Sequence, residues 1–326
     1  MKLFKLIVIL ILLVSTSCKS VQESSIMKQI LKIFLISLLS LFFFYCSTPE
    51  VKKEKPKSNT IKVEKYPDFN TYWYSGKAEI TSYKLSQVRY GEIYEGTAVN
   101  IFVTEEFLPE KQVKANHQNE KNIPILKLNS TKKFTTGIYP YSLMTSTFSP
   151  IDINKKTLKI SFSSQEWCGN TFAQLNNKTD YQIHFYSYFE TNSDRKITLK
   201  KDILENELWN QLRISPENIP VGELQIIPSF EYLSLHHKKF QSYKAEASLV
   251  KNGDFLVYTI NYPSLKRKLS IQLKKDFPFT IESWNEEISS RGKSLITKAK
   301  KIKTIQSAYW SKNGVSDLEE RKALGL

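Results

Sequence analysis

YKAEASLVKNGDFLVYTINY, residues 243–262, reads as two strands folded back on each other. Asn252-Gly253-Asp254 separates two apolar-polar alternating arms, Tyr243–Val250 and Phe255–Tyr262. Asn and Gly accept the positive φ angles of a tight hairpin turn, so this is a strong antiparallel signal. Toward the C-terminus the pattern continues as strands over Lys266–Leu273, Phe279–Glu287 and Leu295–Tyr309, before a short charged helix near Asp317–Ala323.

Upstream the same period of two recurs from Tyr72. Tyr83, Leu85, Gln87 and Arg89 share one face, Gly91 and Gly96 punctuate the run, and Val99, Ile101 and Val103 alternate in the next strand. Residues 123–136 and 138–149 form a further pair turned near Gly137. Leu158, Ile160 and Phe162 alternate up to Gln165-Glu166-Trp167-Cys168-Gly169-Asn170, where Gly169 marks a turn or bulge, and Phe172, Gln174 and Asn176 carry on beyond it. The polar run 176–180 then turns the chain into an aromatic strand, Tyr181–Phe189. One helix interrupts the strands over Asp202–Arg213, with Ile203, Leu204, Leu208 and Leu212 at helical spacing, and it ends before Pro216. Pro216, Pro220, Gly222 and Pro228 make an irregular crossing, which places a seam between two halves of the sheet at 214–230. The expected fold is mainly β: an antiparallel curved sheet or open half-barrel with one inserted helix.

The N-terminus has its own logic. Lys2 and Lys5 precede an apolar Leu6–Val14 core and Cys18, and Lys28 and Lys32 precede a second apolar run, Ile33–Leu41, which ends near Cys46. Basic start, apolar middle and cysteine is the layout of a bacterial lipoprotein signal, in which the cysteine is acylated and becomes the mature N-terminus. Each core has the length of a signal h-region and falls short of a transmembrane helix. Translation from Met27 with acylation at Cys46 is one reading of residues 1–45, and acylation at Cys18 after a start at Met1 is the other. Residues 46–65 are a polar, lysine-rich tether with Pro49 and Pro56, and 66–326 form the β-rich domain. The expected location is the cell envelope, on the outer membrane facing the periplasm.

Across its 326 residues the chain carries +15; the first 45 hold +4, five lysines against Glu23, which leaves +11 for the rest. Such a surplus favours anionic surfaces, and export argues against nucleic acid as a partner. Nineteen Phe, 17 Tyr and five Trp can support a sizeable core without disulfides, since Cys168 is alone once Cys18 and Cys46 are assigned to export signals.

Two clusters stand out as candidate sites. Arg89, Tyr90 and Glu92, with Tyr94 and Glu95, mix charges and aromatics beside glycines, as sugar- or headgroup-binding loops do. Glu166, Trp167 and Cys168 place a carboxylate, an indole and a thiol in a row. The bland reading of each is an ordinary hairpin loop and, for Cys168, a small buried thiol beside a core tryptophan. His236-His237 reads as a surface pair, since no ligand spacing surrounds it, and the lysines of 298–303 read as an edge strand. Walker, dinucleotide, nucleophile-elbow and zincin motifs are absent, which excludes the standard members of those enzyme classes. No cofactor or metal is expected.

Trp73–Glu79, Ser86–Glu92, Phe134–Ser146 and Gln165–Gly169 resemble segments of a family of Bacteroidota lipoproteins often labelled septum formation inhibitor Maf. The serine-rich, double-arginine motif of Maf nucleotide pyrophosphatases is not present, so the resemblance carries over no catalytic residue. The opening Trp73-x-x-Gly76-Lys77-Ala78-Glu79 is also similar to periplasmic half-barrel domains related to lipoprotein carriers. These resemblances imply a membrane-anchored envelope protein that binds a lipid or other amphiphilic component on a concave face. An envelope assembly or interaction protein, and a hydrolase built on Glu166 and Cys168, are the alternatives.

Overall fold

The computed structural model describes residues 66–117, 119–290 and 293–326. The expected signal region and tether, with Cys18 and Cys46, lie outside the described residues. A short helix α1 (Phe69–Trp73) leads into strands β1 (Ala78–Arg89), β2 (Glu92–Leu108), β3 (Val113–Lys114), β4 (Ile123–Thr136), β5 (Tyr139–Pro150), β6 (Lys159–Glu166), β7 (Gly169–Asn177), β8 (Tyr181–Ser187) and β9 (Arg195–Leu199). There follow β10 (Ile203–Leu204), α2 (Glu205–Ile214), β11 (Gly222–Ile227), α3 (Phe230–Leu235), β12 (Tyr243–Asn252), β13 (Phe255–Tyr262), β14 (Arg267–Lys274), β15 (Ile281–Ser290), β16 (Lys293–Ser307) and α4 (Leu318–Ala323).

All of the strands join one sheet, in the order β10-β11-β12-β13-β14-β15-β16-β1-β2-β4-β5-β6-β7-β8-β9, with the short β3 on β2. The pairings are antiparallel except β10 with β11. The sheet is curved and not closed. Its two edges are β9 and β10, yet only residues 200–202 separate these strands in the chain. Four residue steps span at most about 14 Å, so the sheet must curl until its edges nearly meet. The irregular crossing at 214–230 therefore lies by the sheet's opening, and the two halves of the chain are stitched together on the far side by β1 and β16.

Alternation places one face of each strand inside. Tyr83, Leu85, Leu126, Leu128, Ile160, Phe162, Ile183, Phe185, Tyr258, Ile260, Ile271 and Leu273 form one core with Leu208 and Leu212 of α2 and Phe230 and Leu233 of α3. The helix α2 begins three residues later than the spacing predicts, because Ile203 and Leu204 pair with Ile226 and Ile227. Glu207 caps it, its Oε1 accepting from the Leu204 N–H at 3.2 Å. On the outer face α4 covers β1 and β2, with Leu324 packed against Ala78, Ile80 and Val103.

Several expectations are corrected. The lysine-rich strand is central, since β16 sits between β15 and β1; Lys298, Lys300 and Lys303 are exposed on it and Lys301 pairs with Glu282. Gly91 is a turn residue, whereas Gly96 lies inside a 17-residue strand, where it lets β4 approach. His236 is half-buried against Tyr232 rather than part of a surface pair. The helix α3 was invisible to periodicity because six residues are too few to show a period.

Candidate functional site

The β1–β2, β4–β5, β6–β7 and β8–β9 turns fall at the same end of the sheet, because each successive pair is antiparallel. The turn residues there carry large apolar side chains that remain largely exposed. Tyr90 is 60% exposed, Ile138 82%, Trp167 69% and Tyr188 78%. Tyr90 and Gly91 take positive φ angles of 54° and 85°, the geometry of a tight hairpin turn.

Three of these hairpins meet through their side chains. The hydroxyls of Tyr90 and Tyr141 are 2.6 Å apart, and Tyr139 donates to Tyr90 at 3.3 Å. The rings of Tyr139 and Trp167 stack with centroids 6.4 Å apart and planes 29° apart. Arg89 lies over the Tyr90 ring at 4.5 Å and the Tyr141 ring at 5.5 Å, and donates to the Leu235 carbonyl at 2.7 Å. Two stretches far apart in sequence thus converge: Arg89 and Tyr90 join Trp167, with Glu166 and Cys168 beside it. Glu92 faces Arg89 across the turn in register, and its carboxylate accepts from Tyr94 at 2.7 Å.

The expected burial of Cys168 is overturned. Trp167 and Cys168 form the turn itself, so both project outward and the thiol is exposed. The Cys168 N–H donates to Glu166 Oε2 at 2.6 Å. The thiol also donates to Glu166, which pushes its pKa up. That opposes thiolate formation, the reverse of what activates a nucleophilic cysteine.

Below the aromatic end lies a small pocket of about 20 Å³, whose walls include Arg89, Glu166, Phe189, Asn192, Ser234 and His237. Asn192 holds His237 Nδ1 and accepts from Arg195 at 3.2 Å. Burial, and next the Arg89 charge, lower the His237 pKa. Arg89 Nε and Ser234 Oγ are buried there without a protein partner.

The interior holds a second polar region that sequence reading missed. Arg267 forks onto Glu205 at 2.5 and 2.8 Å and donates to Glu286 at 2.5 Å, while Tyr262 donates to Glu205 at 2.7 Å. Lys132 pairs with Glu231 at 2.6 Å. Burial pushes Glu286 up, but the Arg267 and Lys132 charges outweigh it and hold the carboxyl below its ordinary value. These ions surround a cavity of about 60 Å³, room for a few waters rather than for an acyl chain. Isolated charges within apolar alternation were the available signal, at Arg267 and Lys132, but partners up to 99 residues apart cannot be matched from spacing. A further cavity of about 190 Å³ lies by the opening, with Glu207, Gln211 and Lys156 among its walls; burial raises the Glu207 pKa.

Among the described residues no group of His, Cys, Asp or Glu side chains could hold a metal ion, and no helix is long and apolar enough to cross a membrane. Fold and site together define a strongly curved, nearly closed sheet wrapped on a buried helix, with an aromatic cluster at one end. No known protein family, no curated protein and no solved structure matches the chain.

Proposed function

We propose that this is a lipid-anchored envelope protein, acylated at Cys46, that binds an envelope component at the aromatic end of its sheet. The observation that carries this reading is the contrast between its two surfaces. The concave face is occupied by α2 and α3, which enclose a charged cavity of about 60 Å³, while Tyr90, Ile138, Trp167 and Tyr188 stand exposed together at one end. Exposed Tyr and Trp rings are the side chains that most often anchor a binding partner. This supports an interaction or assembly role over a lipid held in the concavity. The hydrolase reading has less support, since Glu166 opposes ionisation of the Cys168 thiol.

The experiment is photo-crosslinking of the full-length chain in its own membranes. A benzophenone side chain at Ile138 or Tyr188 is expected to capture a partner, and Trp167→Ala should abolish the capture. The same probe at Val250, exposed near the turn at the opposite end, should capture nothing specific. Equal capture at all three positions, or none at the aromatic end, overturns the reading. Mass spectrometry of the mature N-terminus checks the anchor: acylated Cys46 is expected.

A further inference from the structure

We propose that the aromatic end binds a carboxylate-bearing saccharide, with a sugar ring stacked on Trp167 and its carboxylate received by Arg89 and Ser234. This rests on the aromatic end being the binding surface and names the ligand class it takes.

The first argument is the shape of the platform. Trp167 stacks on Tyr139, and Tyr139, Tyr90 and Tyr141 are tied by a chain of hydroxyl hydrogen bonds. Tyr141 is buried and anchors the chain, while Trp167 at its outer end is held in place and stays largely exposed. A pyranose presents an apolar C–H face that matches an aromatic ring, and hydroxyls around its rim that match the tyrosine hydroxyls and the Glu92 and Glu166 carboxylates. A rigid, amphipathic ring surface costs little ordering entropy on binding.

The second argument is the pocket beside the platform. Its volume of about 20 Å³ suits one small polar group. Ser234 is 6% exposed and its Oγ has no protein partner, and Arg89 Nε has none either. Buried polar groups are nearly always satisfied, so this pocket is short of an acceptor. Glu166 also lines the pocket but hydrogen-bonds neither atom; its carboxylate accepts from the backbone N–H and thiol of Cys168. Arg195 adds positive charge behind Asn192. A carboxylate offers acceptors only and carries the complementary charge. An acyl chain has no place in so small a pocket.

The test is isothermal titration of the full-length chain in detergent. Three probes are compared: tetragalacturonic acid, neutral cellotetraose, and mixed micelles of the same detergent with phosphatidylglycerol. Tetragalacturonic acid is expected to bind, more weakly as salt rises, and Trp167→Ala and Arg89→Gln should each weaken it at least about tenfold. Ser234→Ala removes a hydroxyl without a partner, so it should weaken binding while leaving thermal unfolding unchanged, which separates recognition from folding. Preference for cellotetraose unaffected by Arg89→Gln, Trp167-dependent binding of the phosphatidylglycerol micelles, or no binding of any probe overturns the proposal. In each of those cases crosslinking at Ile138 and Tyr188 still decides the broader reading, because it does not depend on the ligand class.

Discussion

Arg213, fully buried on α2, forks onto both carboxylate oxygens of Glu79 on β1, each contact at 2.6 Å. Its Nε donates to the Pro278 carbonyl at 3.0 Å, and its guanidinium lies 4.6 Å from the Phe102 ring and 5.1 Å from the Trp73 ring. The pair pins the inserted helix to the centre of the sheet. Breaking it leaves one uncompensated buried charge, so Arg213→Met should cost roughly 3–5 kcal/mol. The double variant Arg213→Met with Glu79→Leu should cost clearly less than the two single changes added together. Urea unfolding of the four proteins in a double-mutant cycle measures both.

Stability should fall with acid through His236. Burial is the main cause that lowers its pKa to about 4; Glu286 opposes the shift, and Arg89, Arg267 and Lys238 reinforce it. A histidine whose folded pKa lies below its unfolded value of ~6.5 binds fewer protons when folded, so unfolding takes up protons. The stability it contributes is present above pH ~6.5 and is lost as pH falls toward 4, by up to roughly 3 kcal/mol. Glu286, with its pKa lowered, acts in the same direction further down. His236→Phe should flatten the stability profile between pH 6.5 and 4, read from urea midpoints across that range; an unchanged slope would refute the assignment.

Gly96 is required by close approach rather than by a turn. A Cβ there would sit 2.3 Å from the Lys133 carbonyl oxygen and 2.8 Å from Phe134 Cβ. Gly96→Ala must push β4 away from β2 along a long pairing, which should cost about 1–3 kcal/mol. Denaturant unfolding would detect this as a lower midpoint at unchanged slope.

Native Cys168 should react with iodoacetamide without unfolding, because the thiol is exposed. Glu166, by accepting from the thiol and by its charge, holds the thiolate fraction down. Glu166→Gln removes the charge, so the apparent pKa should drop and alkylation at pH 8 should speed up. A rate profile against pH for both proteins tests this, and identical profiles would show that the carboxylate does not govern the thiol.

Much of the strand pattern was legible because a half-buried strand writes its burial directly into alternate residues. The 252–255 turn and the pairing of 123–136 with its successor across Gly137 were both readable for that reason. Cys168 was misplaced because alternation looks the same through a strand and through a two-residue turn, and Gly169 closes this turn rather than opening it. The lysines of β16 were misplaced for a different reason. Exposed lysine marks a solvent-facing side chain, and in a sheet wet on its outer face a central strand has those as well as an edge.

Local chemistry was therefore enough to dictate a mainly β chain, its hairpins and one buried amphipathic helix, since each depends on neighbours within a few residues. It also marked Arg89, Tyr90, Glu166 and Trp167 as unusual, one hairpin at a time. That they share one end of the sheet follows from the pairing order, which is set by contacts across the whole chain. The ion pairs Arg213–Glu79 and Arg267–Glu205 belong to the same category, with partners 134 and 62 residues apart. Such partners are chosen by how far the sheet curls around α2, and that curvature is a sum over all the strands that no short stretch of sequence contains.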